Sequence, residues 1–320
     1  VVCGTGVLGN FLVAFVFLKS EKLRHKINNM LIIHQSIIDM LAAMFIFLNK
    51  TFISMDWITG PGPLATFVCR VWLSEYFTWA TMNVSTWNLV TLTVERYIAI
   101  IYPLTYKTVV TKKRIRIVMS MVWILPFINE TYDIGSTVLR GHECLLWLRW
   151  INVNFHMGFG VYVYTIKYLI PICVLIFCYG RILVKLSKET NSGLGSEERN
   201  LQMVKSRNAV IRTLIIVAVA FFTCYTGQTT YVLLKRLRII KDHYTGSLYQ
   251  LSVYMMFFNC SINPIIYSFS HFGFRNAVKE MFNDCKCKGA TSTQNSITDG
   301  HGSMENATNV TLGTAVSNET

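Results

Sequence analysis

Seven apolar blocks, each close to the length of a membrane-crossing helix, dominate this sequence of 320 residues. An α-helix needs roughly 20 consecutive, mostly apolar residues to cross the hydrocarbon core of a bilayer. Backbone groups inside lipid must find partners within their own segment, so blocks of this length are interpreted as helices rather than barrel strands. We therefore expect an all-α membrane protein, a seven-transmembrane helix bundle, with spans at about 1–18, 29–48, 70–101, 115–136, 158–184, 209–234 and 246–270.

The distribution of charge predicts how the bundle is oriented. Only 15% of the residues are charged, and the net charge is +13. Lysines and arginines gather at 19–26 and 107–114, between spans one and two and between spans three and four, which marks these loops as cytoplasmic. The N-terminus is then extracellular and the C-terminus cytoplasmic. Because basic residues beside spans meet anionic lipid headgroups, we do not expect nucleic acid as a partner.

Two segments of different composition follow the last apolar block. Residues 272–283 alternate apolar and basic side chains at helical spacing, which predicts a short amphipathic eighth helix on the cytoplasmic surface. Residues 284–320 are rich in Ser, Thr and Asn and are expected to form a disordered tail, so the seven-helix domain is placed at 1–283. Cys285 and Cys287 are palmitoylation candidates, with unmodified thiols as the equal alternative. The chain starts in apolar sequence without Met, and we expect the natural chain to begin upstream.

Ionisable residues within the apolar blocks are the first functional candidates. Asp39 lies near the middle of span two, and Arg96 follows Glu95 at the end of span three. Charges at these depths are costly and are kept for a pathway, a switch or a ligand. Cys69 and Cys144 both lie at extracellular span ends, where an oxidising environment allows a disulfide bond between them.

Several of these residues belong to a larger set of residues and short motifs, with one group in each expected helix or loop. They are Asn10, Asp39, Cys69, Glu95-Arg96-Tyr97, Pro103-Leu104, Trp123, Cys144, Pro171, Tyr179, Phe221, Cys224 and Asn263-Pro264-Ile265-Ile266-Tyr267. In this order, over nearly the whole chain to about residue 283, the set resembles the rhodopsin-like (class A) G-protein-coupled receptors. The resemblance implies a plasma-membrane receptor with an extracellular ligand, a heterotrimeric G protein as partner, and arrestin and a receptor kinase acting on the tail.

The sequence departs from the family pattern in three places. Glu95 replaces the commoner Asp before Arg96, and span six reads Cys224-Tyr225-Thr226-Gly227 where the family has Cys-Trp-x-Pro. Glycine permits bending without removing a backbone hydrogen bond, so span six is expected to be straighter. Cys69 lies two residues farther from Arg96 than is usual, whereas Ser85 keeps the usual spacing, so the extra length belongs above Ser85.

The resemblance assigns roles on the cytoplasmic side and in the core of the bundle. The coupling and activation switch would comprise Glu95, Arg96, Tyr97, Tyr179, Asn263, Pro264 and Tyr267. Residues that transmit the signal through the core would be Thr86, Pro171, Phe221 and Tyr225. A polar pocket, holding either a sodium ion at Asp39 or a hydrogen-bond network without an ion, would comprise Asn10, Asp39, Ser85, Asn259 and Asn263. No other cofactor is expected.

The extracellular half of the spans supplies ligand-binding candidates by the same resemblance. Thr78 or, counted from Cys69, Tyr76 stands where amine receptors carry an Asp, and Phe257 replaces the retinal-binding lysine of opsins, so amine and retinal ligands are disfavoured. The mixed polar and aromatic set favours a peptide, and Lys167 with Lys235 suggests an anionic group on it. The candidates are Glu75, Thr78, Lys167, Gln228, Tyr231, Lys235, Tyr249, Gln250 and Tyr254.

Two other classes of function were weighed. An enzyme is disfavoured, because neither a metalloprotease His-Glu-x-x-His motif nor a Gly-x-Ser-x-Gly nucleophile elbow occurs. A transporter or channel is the alternative, since Asp39, Asn10 and Asn263 would also suit an ion path, although internal repeats are not visible.

Overall fold

The computed structural model describes residues 1–52, 62–146, 152–191, 198–240, 246–281 and 283, with side chains described for all of these except 52, 189–191, 198–208, 210 and 270. Long helices occur in all seven predicted regions. Their bounds are α1 Val2–Lys19, α3 Ile27–Phe52, α5 Tyr76–Ile101, α7 Lys112–Ser136, α8 with α9 from Val153 to Asn191, α10 Glu198–Arg236 and α11 Ser247–Ser270. Shorter helices are α2 Glu21–Arg24, α4 Pro63–Phe67, α6 Pro103–Val109 and α12 at 272–281.

Among the described residues, four helical stretches are long and apolar enough to cross a membrane by length and composition alone: Val2–Lys19, Ile27–Thr51, Val153–Lys188 and Ile211–Arg236. The helices α5, α7 and α11 also have span length but carry more polar residues. Many of those polar side chains are buried, among them Asn83, Asn88, Glu130, Asp133 and Asn263. The polar side chains of these three helices therefore face the inside of the bundle rather than lipid.

The helices pack into one bundle in which α5 contacts several of the others. The first helix, α1, packs against α3 and α11; α5 packs against α3, α7 and α9; and α10 packs against α8 and α11. Large apolar side chains such as Leu8, Phe11 and Ile176 remain exposed on the outside, as a surface in contact with lipid requires. The predicted helix bundle is confirmed.

The third span differs from the continuous helix predicted over 70–101. The chain forms α4, then a π-helical segment, Val68–Leu73, and then a break before α5. Glu75, at this break, has a left-handed φ of 59°. A π turn holds more residues than an α turn, so the two extra residues expected above Ser85 are accommodated here.

A disulfide bond joins Cys69 in this π segment to Cys144, with 5.5 Å between their Cα atoms. Cys144 lies in a short antiparallel hairpin that the sequence analysis did not predict, β1 Val138–Arg140 paired with β2 Glu143–Leu145. The predicted disulfide is therefore present, and it attaches the loop between spans four and five to the top of span three.

Span five contains a second π segment, Thr165–Leu169, between α8 and α9. Proline lacks an N–H, and its ring clashes with the carbonyl group four residues earlier, which for Pro171 is that of Lys167. Widening this turn relieves the clash. Span six, in contrast, is a single α-helix, as expected from the loss of its proline.

Two glycines bring α1 close to its neighbours. A Cβ atom added at Gly6 would lie 2.8 Å from Ala43 Cβ, and one at Gly9 would lie 2.9 Å from Pro264 Cβ. Neither distance is tolerated without movement of a helix. These positions therefore set the contacts of α1 with α3 and α11.

We predict that Gly6→Ala destabilises the receptor in spite of alanine's better helix propensity. Overpacking a tight contact costs about 1–3 kcal/mol, against about 1 kcal/mol gained from the propensity. The readout is the Tm of the purified protein in detergent. Gly4→Ala is the matched control, because a Cβ there would meet nothing within 4 Å. Equal Tm values for the two variants would contradict the prediction.

Candidate functional site

The cytoplasmic end of α5 holds a buried ion pair. Arg96 Nε donates to Glu95 Oε2 at 2.6 Å, and Nη2 donates to Oε1 at 2.8 Å. The side chain of Glu95 is only 1% exposed, whereas that of Arg96 is 20% exposed. The Tyr106 hydroxyl, from α6, also donates to Glu95 Oε1. Burial and the Glu95 carboxylate raise the pKa of the Tyr106 phenol well above its usual value, so it remains a donor.

The two tyrosines expected to receive Arg96 lie elsewhere in this conformation. Tyr179 is buried and its hydroxyl lies 3.1 Å from Thr93 Oγ1. Tyr267 is fully buried, and no described residue is hydrogen-bonded to its hydroxyl. Tyr97 packs against Tyr102 and Phe177. In this conformation Arg96 is therefore held by Glu95 and by neither Tyr179 nor Tyr267.

Asp39 is the centre of the polar pocket and is fully buried. Ser85 Oγ donates to Asp39 Oδ1 at 2.7 Å, and Asn263 Nδ2 donates to Oδ2 at 2.7 Å. Gln35, one helical turn before Asp39, donates to both carboxylate oxygens at 3.0 and 3.1 Å. The sequence analysis missed Gln35, although a polar residue four positions before a buried aspartate lies on the same helix face.

The other two predicted members of this pocket take different positions. Asn10 donates through Nδ2 to the carbonyl groups of Gly6 and Cys260, at 2.8 and 2.7 Å, and not to Asp39. Asn259 is buried one turn before Asn263 on α11. Within the described residues, the Gln35 amide nitrogen lies within hydrogen-bond distance of both Asp39 carboxylate oxygens and of Ser85 Oγ. An N–H group at this point does not fit a bound sodium ion, which requires oxygen ligands there.

Three of the core residues proposed for signal transmission, Thr86, Phe221 and Tyr225, lie close together, whereas Pro171 lies on α9. The tilted rings of Phe221 and Tyr225 have 4.3 Å between their centroids, and both side chains are almost fully buried. Thr86 and Tyr225 each donate to the carbonyl group of Met82, at 3.2 and 3.3 Å. Movement of α10 would therefore change its contacts with α5 directly.

The outer half of the bundle contains a cavity with about 770 Å³ of empty space, including open solvent at its mouth. Three of the predicted ligand-binding residues line it: Lys167, Gln228 and Tyr249. Tyr231 packs against the lining residue Tyr249, with 5.2 Å between their ring centroids. Lys235 and Gln250 are partly buried in the adjoining turns of α10 and α11.

Other predicted ligand residues lie outside this cavity. Glu75 and Thr78 line a separate small cleft between α3 and α5, where Glu75 pairs with Lys50. Tyr254 is 63% exposed and lies on the outward apolar face of α11 with Leu251 and Phe258. The helical repeat thus turns Tyr254 away from the cavity and toward the outside of the bundle.

The role predicted for Lys167, attraction of an anionic ligand group, changes because the protein itself supplies the anion. Lys167 Nζ lies 2.6 and 2.7 Å from the two carboxylate oxygens of Glu130, which is fully buried on α7. Asn83 Nδ2 also donates to Glu130, at 3.2 Å. Asp133 and Arg236 line the same cavity as Lys167, so its walls carry one acidic and two basic residues.

The sequence analysis missed Glu130, Tyr132, Asp133 and the burial of Arg236. The signal was present, since acidic residues inside an apolar span are themselves a mark of function. Tyr132 lies between the charges, with its ring centroid 5.6 Å from Lys167 Nζ and 5.3 Å from Arg236 Cζ. Cys285, Cys287 and the tail lie outside the described residues, as does the side chain of Arg207.

We predict that Lys167→Met destabilises the ligand-free receptor. Removing one partner of a buried ion pair costs about 3–5 kcal/mol, because the Glu130 carboxylate is left without its counter-charge. The double variant Lys167→Met/Glu130→Gln removes both charges and is expected to recover much of the loss. Cell-surface expression and Tm in detergent are the measurements. A single variant as stable as the wild type would show that Lys167 serves only a ligand.

Comparison with known proteins agrees with this architecture. The chain is 24% identical over 285 residues to the allatostatin-A receptor of Bombyx mori, covering 86% of this chain and 76% of the relative. It is 24% identical over 285 residues to human galanin receptor type 1, covering 87% of this chain and 78% of the relative. A family model described as 7 transmembrane receptor (rhodopsin family) matches residues 9–267. The chain therefore belongs to the rhodopsin family of seven-transmembrane, G-protein-coupled receptors, and it is a multi-pass membrane protein rather than an enzyme.

Proposed function

We propose that this receptor binds an extracellular peptide in the outer cavity and activates a heterotrimeric G protein at its cytoplasmic end. The observation that carries the proposal is the lining of the cavity, which combines aromatic walls with charges of both signs. The two relatives reported above are named as receptors for allatostatin-A and galanin. The N-terminus is placed outside the cell and the C-terminus inside, in agreement with the basic loops at 19–26 and 107–114.

The lining suits a peptide because it offers both donors and acceptors next to aromatic surfaces. Trp79, Tyr164, Tyr225 and Tyr249 supply rings, and Gln228 and Thr229 supply neutral polar groups. Amide groups of a peptide need both kinds of hydrogen-bond partner, and its side chains need apolar contact. A ligand recognised chiefly by one anionic group fits less well, since Glu130 already neutralises Lys167.

Transmission is proposed to run from this cavity through α10 to Arg96. Tyr225 lines the cavity and contacts Phe221 deeper in the bundle, so a ligand that moves α10 also moves the Tyr225 hydroxyl relative to Met82. Outward movement of span six then opens a cytoplasmic cleft for a Gα C-terminal helix, with Arg96 released from Glu95 toward Tyr179 and Tyr267. Arrestin and a receptor kinase are proposed to act on the Ser/Thr-rich tail.

A peptide screen read out by nucleotide exchange on a purified G protein tests the proposal. We expect an agonist peptide to accelerate exchange at wild-type receptor and to fail at Arg96→Ala with unchanged surface expression. A response retained by Arg96→Ala would contradict the role of the arginine. Ionic current or solute uptake without any G protein would support the transporter alternative instead.

We predict that Glu95→Gln raises ligand-free nucleotide exchange severalfold. The neutral amide loses the charge that holds Arg96, and charge-assisted hydrogen bonds are about twice as strong as neutral ones. Glu21→Gln is the matched control, because this exposed carboxylate lies in α2 on the same side of the membrane. Equal basal exchange in both variants would reject the restraint, as would a lower rate in Glu95→Gln.

A further inference from the structure

The donor set around Asp39 is fixed by a chain of hydrogen bonds that begins on another helix. Trp123 Nε1 lies 2.7 Å from His34 Nε2, and an indole N–H can only donate. His34 Nε2 must therefore accept, and the proton of this neutral ring is on Nδ1. His34 Nδ1 then donates to Asn88 Oδ1, 2.8 Å away.

The same logic orients the two amides that follow. Because Asn88 Oδ1 accepts from His34, Asn88 Nδ2 is the donor to the carbonyl group of Leu31, at 3.2 Å, and to Gln35 Oε1, at 2.8 Å. Gln35 Oε1 thus accepts, which directs Gln35 Nε2 toward Asp39 and Ser85. Amide orientation is ordinarily ambiguous. Here a donor-only indole at one end and an acceptor-only carboxylate at the other determine it.

Three side chains donate hydrogen bonds to Asp39 in this arrangement. Ser85 Oγ and Asn263 Nδ2 each donate to one carboxylate oxygen. Gln35 Nε2 has two N–H groups, of which one is directed at Ser85 Oγ and the other is shared between the two Asp39 oxygens. The lone pairs of Ser85 Oγ face Gln35 Nε2, which donates to it. A cation entering this site would meet N–H groups where it needs oxygen ligands.

We propose that the Gln35 amide takes the place of a counter-cation at Asp39, so that this receptor is insensitive to sodium. The amide supplies the partial positive charge that a buried carboxylate requires, and it is held in place through Asn88, His34 and Trp123. Sodium then has no differential affinity for one receptor conformation and shifts no equilibrium between them. The test below needs neither ligand nor G protein, so its result is independent of the proposed function.

The experiment compares the Tm of the purified full-length receptor in NaCl and in N-methyl-D-glucamine chloride at equal ionic strength. Wild type is expected to show the same Tm in both. Gln35→Leu removes the amide and exposes Asp39 to the pocket, so NaCl is expected to raise its Tm by about 2–4 °C when sodium is well above its Kd. Gln35→Met serves the same purpose if the leucine variant does not fold.

The double variant Gln35→Leu/Asp39→Asn is the control, because it lacks the carboxylate that would bind sodium, and its Tm is expected to be the same in both salts. A sodium-dependent Tm in the wild type would overturn the proposal. A folded Gln35→Leu or Gln35→Met variant without any sodium response would also overturn it, by showing that Gln35 is not what excludes the ion.

Discussion

A polar side chain inside a lipid-surrounded bundle must find its hydrogen-bond partners on neighbouring helices, and this requirement organises the receptor around α5. Along one helix, Asn83 donates to Glu130 on α7, Ser85 to Asp39 on α3, and Thr93 meets Tyr179 on α9. Unsatisfied polar groups in such surroundings cost several kcal/mol each. The polar residues of α5 are therefore the contacts that select its neighbours, whereas apolar packing alone would tolerate several rotations.

The sequence alone was sufficient to single out a residue wherever its type is rare in its surroundings. Asp39 within an apolar block, Arg96 at the end of another, and two extracellular cysteines could each be assigned without knowing their surroundings. The seven-helix bundle followed from block length for the same reason, because the bilayer sets the length and the chain has few ways to meet it.

The sequence could not predict which group each polar side chain pairs with. Lys167 was equally compatible with a ligand, a lipid headgroup and a carboxylate of the protein, and only the packing of α7 against the outer bundle brings Glu130 to it. Gln35 is uncharged and stands between two other polar residues, His34 and Ser36, so composition does not say which of the three reaches Asp39. The outward position of Tyr254 could not be predicted because a helical repeat alone does not say which face is inward.

The break between α4 and α5 has a consequence for how such a receptor can vary. In an unbroken α-helix, one inserted residue rotates everything beyond it by about 100°. The left-handed Glu75 and the π segment that contains Cys69 accommodate extra residues locally, so the helix from Tyr76 onward keeps its register. The end of the bundle at Cys69 can thus gain or lose residues while Ser85 and Arg96 keep facing the same neighbours.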